Sequence, residues 1–176
     1  MVFRKATQND IAAIAEIYEA IHTEEEAGRT SIGWIRGVYP TGKTAGAALL
    51  RDDLFVAEKN GIIVGTAIIN QQQVDVYEGA AWEFPAEESQ VMVLHTLVIA
   101  PREFGKGYGK AFVKFYEDYA LSQGCCYLRM DTNARNLRAR AMYQKLGYKE
   151  IGIVPCVFNG MEGVQLVLLE KRLSSG

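Results

Sequence analysis

The chain has 176 residues, 49% hydrophobic and 23% charged, with 19 basic side chains against 21 acidic ones and a formal net charge of −2. That length favours one domain over residues 1–176, the composition excludes a disordered chain, and a charge so near zero excludes a dedicated nucleic-acid binder. No apolar run approaches the roughly 18 residues that cross a bilayer, the polar first ten residues make no signal peptide, and three cysteines with two histidines form neither a disulfide framework nor a metal cluster. A metal-free cytoplasmic protein is expected, with neither membrane nor nucleic acid among its partners.

Val2 to Ala6 reads as a short strand. Ile11, Ile14, Ala15, Tyr18 and Ile21 then recur at helical spacing behind Asp10, a candidate N-cap. Leu54–Glu58 and Ile62–Ile69 read as strands joined at Asn60-Gly61, a pair that favours a tight hairpin turn. Val91–Ile99 is apolar almost throughout, which suits a central strand covered on both faces. Apolar residues at 108, 111, 112, 115, 116 and 119 trace one face of a helix ending near Gly124. Tyr127–Asp131 is a further strand, and Asn136–Leu146 a second helix stopped by Gly147. Tyr148–Phe158 and Val164–Lys171 close the chain as strands around Asn159-Gly160. Strands alternating with helices in the middle and pairing as hairpins at both ends predict a mixed α/β sheet.

Charge is unevenly placed along this order. Residues 60–101 carry five acidic and no basic side chains, whereas residues 102–149 carry ten basic and four acidic ones. The bland reading is solvated surface; the functional one is a polyanion on one side and a cationic group on the other.

The strongest local signal lies between the central strand and the helix after it, in Pro101-Arg102-Glu103-Phe104-Gly105-Lys106-Gly107-Tyr108-Gly109-Lys110. Glycines there let backbone approach a ligand, and the first helical N–H groups lack internal partners and carry the positive end of the dipole. Such a turn suits phosphate, with Lys106 and Lys110 adding charge. A dinucleotide fingerprint would require glycine at 110, where lysine stands. A second match, Gly37 through Gly42-Lys43-Thr44, satisfies the triphosphate P-loop formula. No buried β run precedes it, however, because Gly33 and Arg36 interrupt residues 30–36. That segment reads instead as a mobile loop presenting Trp34 and Tyr39 to a small ligand.

Asn136 and Tyr143 stand seven residues apart, within about 20° of two helical turns, and so share one helix face. With the glycine turn upstream, Asn136-Leu-Arg-Ala139-Arg-Ala-Met-Tyr143-Gln-Lys-Leu146-Gly147-Tyr148 resembles the later helix of the GNAT superfamily of acyl-CoA-dependent N-acetyltransferases. The resemblance runs from Phe3 to Leu169. It departs from the family's R/Q-x-x-G-x-G/A turn at Phe104, which occupies the Arg/Gln position, while Arg102-x-x-Gly105-x-Gly107 satisfies the formula two residues early.

The resemblance implies an α/β fold with a mixed, strongly twisted central sheet flanked by helices, and acetyl-CoA as acyl donor. It implies that backbone of Leu97, Val98 and Ile99 pairs with pantetheine, with the Leu97 N–H polarising the thioester carbonyl. Residues Phe104, Gly105, Lys106, Gly107, Tyr108, Gly109 and Lys110 would hold the pyrophosphate, and Asn136 the CoA arm. Tyr143 would protonate the departing thiolate after direct attack by a small-molecule or peptide amine. His95, in Leu94-His95-Thr96-Leu97, is similar to a proton-relaying histidine of arylalkylamine acetyltransferases, although Val93 replaces their second histidine. Glu83, Glu87 and Glu88 are the alternative bases, and a core histidine bonded to backbone is the plain reading of His95. The family also admits a homodimer. A non-catalytic acyl-CoA-binding or sensing module of the same fold is the competing function.

Overall fold

A computed structural model describes residues 1–174. Seven strands follow the order β1-β2-β3-β4-β5-β7-β6, and the chain divides into two compact units, neither of them one continuous segment. β4 (Val91–Ile99) contributes its first residues to one unit and its last to the other.

The first unit comprises residues 1–30, 34–69 and 95–115. β1 (Val2–Lys5), β2 (Leu54–Lys59) and β3 (Ile62–Asn70) pair antiparallel, and the β2–β3 turn places Asn60 at φ 51° and Gly61 at φ 76°. Both central residues are thus left-handed, as a two-residue hairpin with native twist requires. α1 (Ile11–Glu26) buries Ile14, Ile17, Tyr18 and Ile21, the predicted stripe. Asp10 stands at the N-cap position of α1, as expected, but its side chain makes no capping bond to that helix. Its carboxylate accepts from the Thr7 N–H at 2.7 Å and pairs with Arg4 at 2.8 Å, closing a single turn before the helix rather than capping α1 itself. The Arg4 guanidinium pulls the Asp10 carboxyl down to about 2.

α2 (Gly42–Leu50) occupies what reads from sequence as loop. The Thr41 N–H donates to the Thr44 hydroxyl at 3.0 Å at its start, and Ala45 and Ala48 are fully buried. A helix whose buried face is alanine lets α1 approach closely yet leaves little hydrophobic periodicity to detect.

The second unit comprises residues 31–33, 70–94 and 116–174 of the described chain. β5 (Tyr127–Asn133) runs parallel to the start of β4, from Val91 opposite Tyr127 to Leu94 opposite Met130. β7 (Met161–Arg172) pairs antiparallel with β5 and with β6 (Lys149–Phe158). α3 (Tyr108–Ser122) begins in the first unit and ends in the second, where Tyr116 is fully buried and donates to the Met92 carbonyl at 2.7 Å. α4 (Leu137–Lys145) follows β5 and stops at Gly147, whose φ of 89° suits glycine alone. Among the described residues, no helix is long and apolar enough to cross a membrane.

Candidate active site

The turn before α3 lies in the first unit. Pro101–Glu103 form a single tight helical turn, and Gly105 and Gly107 then take φ of 80° and 81°. A Cβ added to either would meet no atom within 4 Å, so open space lies beside this backbone. The glycines are therefore favoured by dihedral angle rather than by crowding. The N–H groups opening α3 have no partner within the helix. Lys106 bonds Glu103 at 2.8 Å, Lys110 is exposed, and the Tyr108 phenol is held by Lys59. Arg102, the early-register match, directs its guanidinium to the Ile63 carbonyl at 3.4 Å.

In the same unit, β4 departs from regular strand geometry. Val91–Leu94 are buried, whereas His95, Thr96 and Leu97 are half-buried. Between the last two predicted roles stands Thr96 at φ 49°, a left-handed conformation that is a genuine outlier for a β-branched residue and costs of order 1–3 kcal/mol. Its hydroxyl hydrogen-bonds with the Tyr39 phenol. Val98 is buried and Ile99 half-buried beside Gly65 of β3, where an added Cβ would come within 3.2 Å of the Val98 carbonyl oxygen.

The second unit holds the remaining predicted residues. Asn136 is the N-cap of α4, its Oδ1 accepting from the Ala139 N–H at 3.1 Å, which leaves its amide NH₂ as the group able to donate. Tyr143 is buried, with its ring edge-on to Tyr148 at 5.9 Å. Burial first, and then the charge of Asp131, push the Tyr143 phenol well above its ordinary pKa. The phenol is therefore neutral across the physiological range.

Glu83 donates its backbone N–H to Glu170 at 2.6 Å and pairs its exposed carboxylate with Lys149. Tyr77 is buried, and Trp82 lies under the Arg129 guanidinium at 4.3 Å, so the two aromatics of the acidic segment are engaged within their own unit. Arg129 also donates to Gln73 at 2.5 Å and to the Phe84 carbonyl at 3.3 Å.

Asp131 on β5 is a further candidate residue, absent from the sequence-predicted set. It accepts from the Tyr77 hydroxyl at 2.7 Å, and burial raises its pKa to about 6 against that bond. The same carboxylate raises Cys156, after burial. One signal was available: Tyr127, Arg129 and Asp131 alternate along β5, placing two charges on one face of a strand otherwise rich in apolar residues.

The triphosphate-loop formula has no strand before it. Ile35 and Tyr39 form only an isolated bridge, and the helix after it begins at Gly42, with Thr41 as its cap.

Residues 12–148 match the acetyltransferase (GNAT) family model. An uncharacterized N-acetyltransferase of Methanocaldococcus jannaschii is 25% identical over 180 residues, covering all of this chain and 96% of its own. Among solved structures, a GNAT-family acetyltransferase of Streptococcus agalactiae superposes with a TM-score of 0.81 at 22% identity, over 98% of this chain and 95% of that one. The yncA protein of Salmonella typhimurium, solved with acetyl-CoA as its cofactor, gives 0.71 at 20% identity, over 100% and 95%. The fold expected from the sequence is therefore the fold found, and with the family match spanning most of its length the chain belongs to the GNAT family of acetyltransferases.

Proposed function

We propose that the protein, as a single cytoplasmic domain, transfers an acetyl group from acetyl-CoA to a primary amine of a small molecule or peptide. The observation that carries this reading is the turn from Phe104 to Lys110, two left-handed glycines with open space beside them, leading into the start of a helix, whose first N–H groups have no partner within it. Those N–H groups suit a pyrophosphate, with Lys106 and Lys110 adding charge. Bound acetyl-CoA supplies an activated thioester carbonyl. Backbone of Leu97, Val98 and Ile99 holds the pantetheine arm as an added strand would, and the Leu97 N–H polarises the carbonyl. Asn136 donates its amide to the same arm.

In this reading the amine attacks directly, the C–N bond forms, the C–S bond breaks, Tyr143 gives its proton to the departing sulfur, and the proton lost by the acylated nitrogen restores the phenol. The ammonium must first lose a proton. His95 and Glu83 are the acceptors proposed from sequence, and Asp131 joins them. A carboxylate titrating at about 6 is well matched to accepting a proton near neutral pH, whereas Glu83 is already paired with Lys149. pH–rate profiles of His95→Gln, Glu83→Gln and Asp131→Asn separate the three, since loss of the acid limb identifies the base.

Tyr143 within an otherwise intact helix motif favours an enzyme over a binding module. Release of CoA across a panel of amines, amino acids and peptides is the test. Tight acetyl-CoA binding without release to any acceptor would support the module instead.

A further inference from the structure

We propose that Tyr39 is a positioning residue, whose bond to Thr96 holds the left-handed kink of β4 and thereby makes the order of the α1–α2 connection a condition for the reactive geometry of His95 and Leu97. The inference rests on the donor reading above for its catalytic consequence, but not for the kink itself.

Thr96 is forced into a conformation it does not favour. Its two Cβ branches make φ 49° costly, and its flanking residues are half-buried where Val91–Leu94 before them are buried. Such a residue persists only where its surroundings over-determine it. The hydroxyl bond to Tyr39, 57 residues away in sequence, is one restraint acting at the kink. A left-handed residue inside a strand rotates the peptide groups on both sides of it. The carbonyl of His95 and the N–H of Leu97 are therefore aimed by the dihedral angles of Thr96.

Tyr39 is itself held. Its ring meets Trp34 edge-on at 5.9 Å, and the His22 Nε2–H, almost fully buried, donates to the carbonyl of the next residue, Pro40, at 2.9 Å. Arg36 ties the same connection to α1 through Glu26 at 2.9 Å, the Thr23 hydroxyl at 2.9 Å, and Glu19. The path is thus continuous from α1 through residues 34–40 to the kink. A ligand that orders or displaces this connection would alter the aim of the Leu97 N–H without touching it.

The test compares Tyr39→Phe in two backgrounds, threonine and glycine at position 96, because glycine takes φ 49° without support. With Thr96 present, loss of the phenol should lower kcat about tenfold while the KM for acetyl-CoA stays within about twofold. With Thr96→Gly, the same change should cost less than about twofold. Thr96→Ser keeps the hydroxyl and should keep the full dependence on Tyr39. Amide exchange at His95 and Leu97, measured without donor, should quicken in Tyr39→Phe only when residue 96 is not glycine. Equal effects of Tyr39→Phe in both backgrounds, or no effect in either, would overturn the proposal. If the wild-type protein transfers no acetyl group, the functional reading falls, and amide exchange still decides whether Tyr39 holds the kink.

Discussion

The Tyr77 hydroxyl donates to Asp131 at 2.7 Å, so a buried phenol from the acidic segment is the partner of a carboxylate on β5. That single bond does not offset the burial, and the Asp131 pKa rises from 3.8 to about 6. Because the folded value lies above the unfolded one, the carboxyl is protonated in both states below about pH 4, where it carries no penalty. Stability is then lost as pH rises from about 4 to 6, and the loss persists above, amounting to at most about 3 kcal/mol. Asp131→Asn keeps an oxygen for Tyr77 and removes the charge. Urea unfolding should therefore find the variant more stable than wild type at neutral pH and nearly equal at pH 4. Parallel pH dependences in the two proteins would remove Asp131 as the cause.

Tyr143→Phe should lower kcat by roughly 10–10³-fold with acetyl-CoA affinity nearly constant. Burial and Asp131 both keep this phenol protonated, so in the proposed mechanism its proton is present to be given to the departing sulfur, although the same shift makes it a weaker acid. Water replaces it in part because a thiolate is a stable leaving group. Full kcat in the variant, under conditions where chemistry limits the rate, would contradict the role.

The outer frame of the fold was legible because its signals are local. Asn60-Gly61 and Asn159-Gly160 mark their hairpins with left-handed pairs, and β4 spans the predicted Val91–Ile99. α2 was not legible, because an alanine face gives no periodicity, and its cap, Thr41, follows a proline and a turn that read as loop. Among the candidate residues, the glycine turn and the helix carrying Asn136 and Tyr143 were evident from residue types at fixed spacing. Thr96 and Asp131 were not. The partner of the Thr96 hydroxyl stands 57 positions away, and the raised pKa of Asp131 comes from burial that its bond to Tyr77 does not offset. Both are tertiary effects that no window along the chain contains.

Gly107→Val should weaken acetyl-CoA binding at least about tenfold, or 1.4 kcal/mol, with the domain still folded. At φ 81° a side chain is strained wherever it points, so strain must be separated from occlusion. Gly163→Val supplies the control: its φ is 70°, and a Cβ there also meets nothing within 4 Å, but it lies on β7. Calorimetry should show lost affinity only for the position 107 variant, with comparable destabilisation in both. Unchanged affinity in folded Gly107→Val would remove this turn from the donor site.

The acidic stretch between residues 73 and 90 sets the last expectation, a preference for positively charged amine acceptors over zwitterionic or acidic ones. Carboxylates without a basic residue among them attract a cation over about a Debye length, roughly 8–10 Å, and salt weakens that attraction. Tyr77 and Trp82 are occupied by Asp131 and Arg129, so the attraction must come from charge rather than aromatic packing. The carboxylates are not equivalent either. Glu83 is paired with Lys149, whereas Glu87 and Glu88 are exposed at the end of the segment. Neutralising Glu83, Glu87 and Glu88 together should therefore raise KM for cationic amines more than it changes kcat, and Glu87→Gln with Glu88→Gln should account for most of the rise. Carboxylates also stabilise the ammonium form, so they favour binding while opposing deprotonation, which is why KM rather than kcat should respond. The value of kcat/KM should fall as salt is added. Equal activity on acidic acceptors, or a rate indifferent to salt, would mean that these carboxylates are only solvated surface.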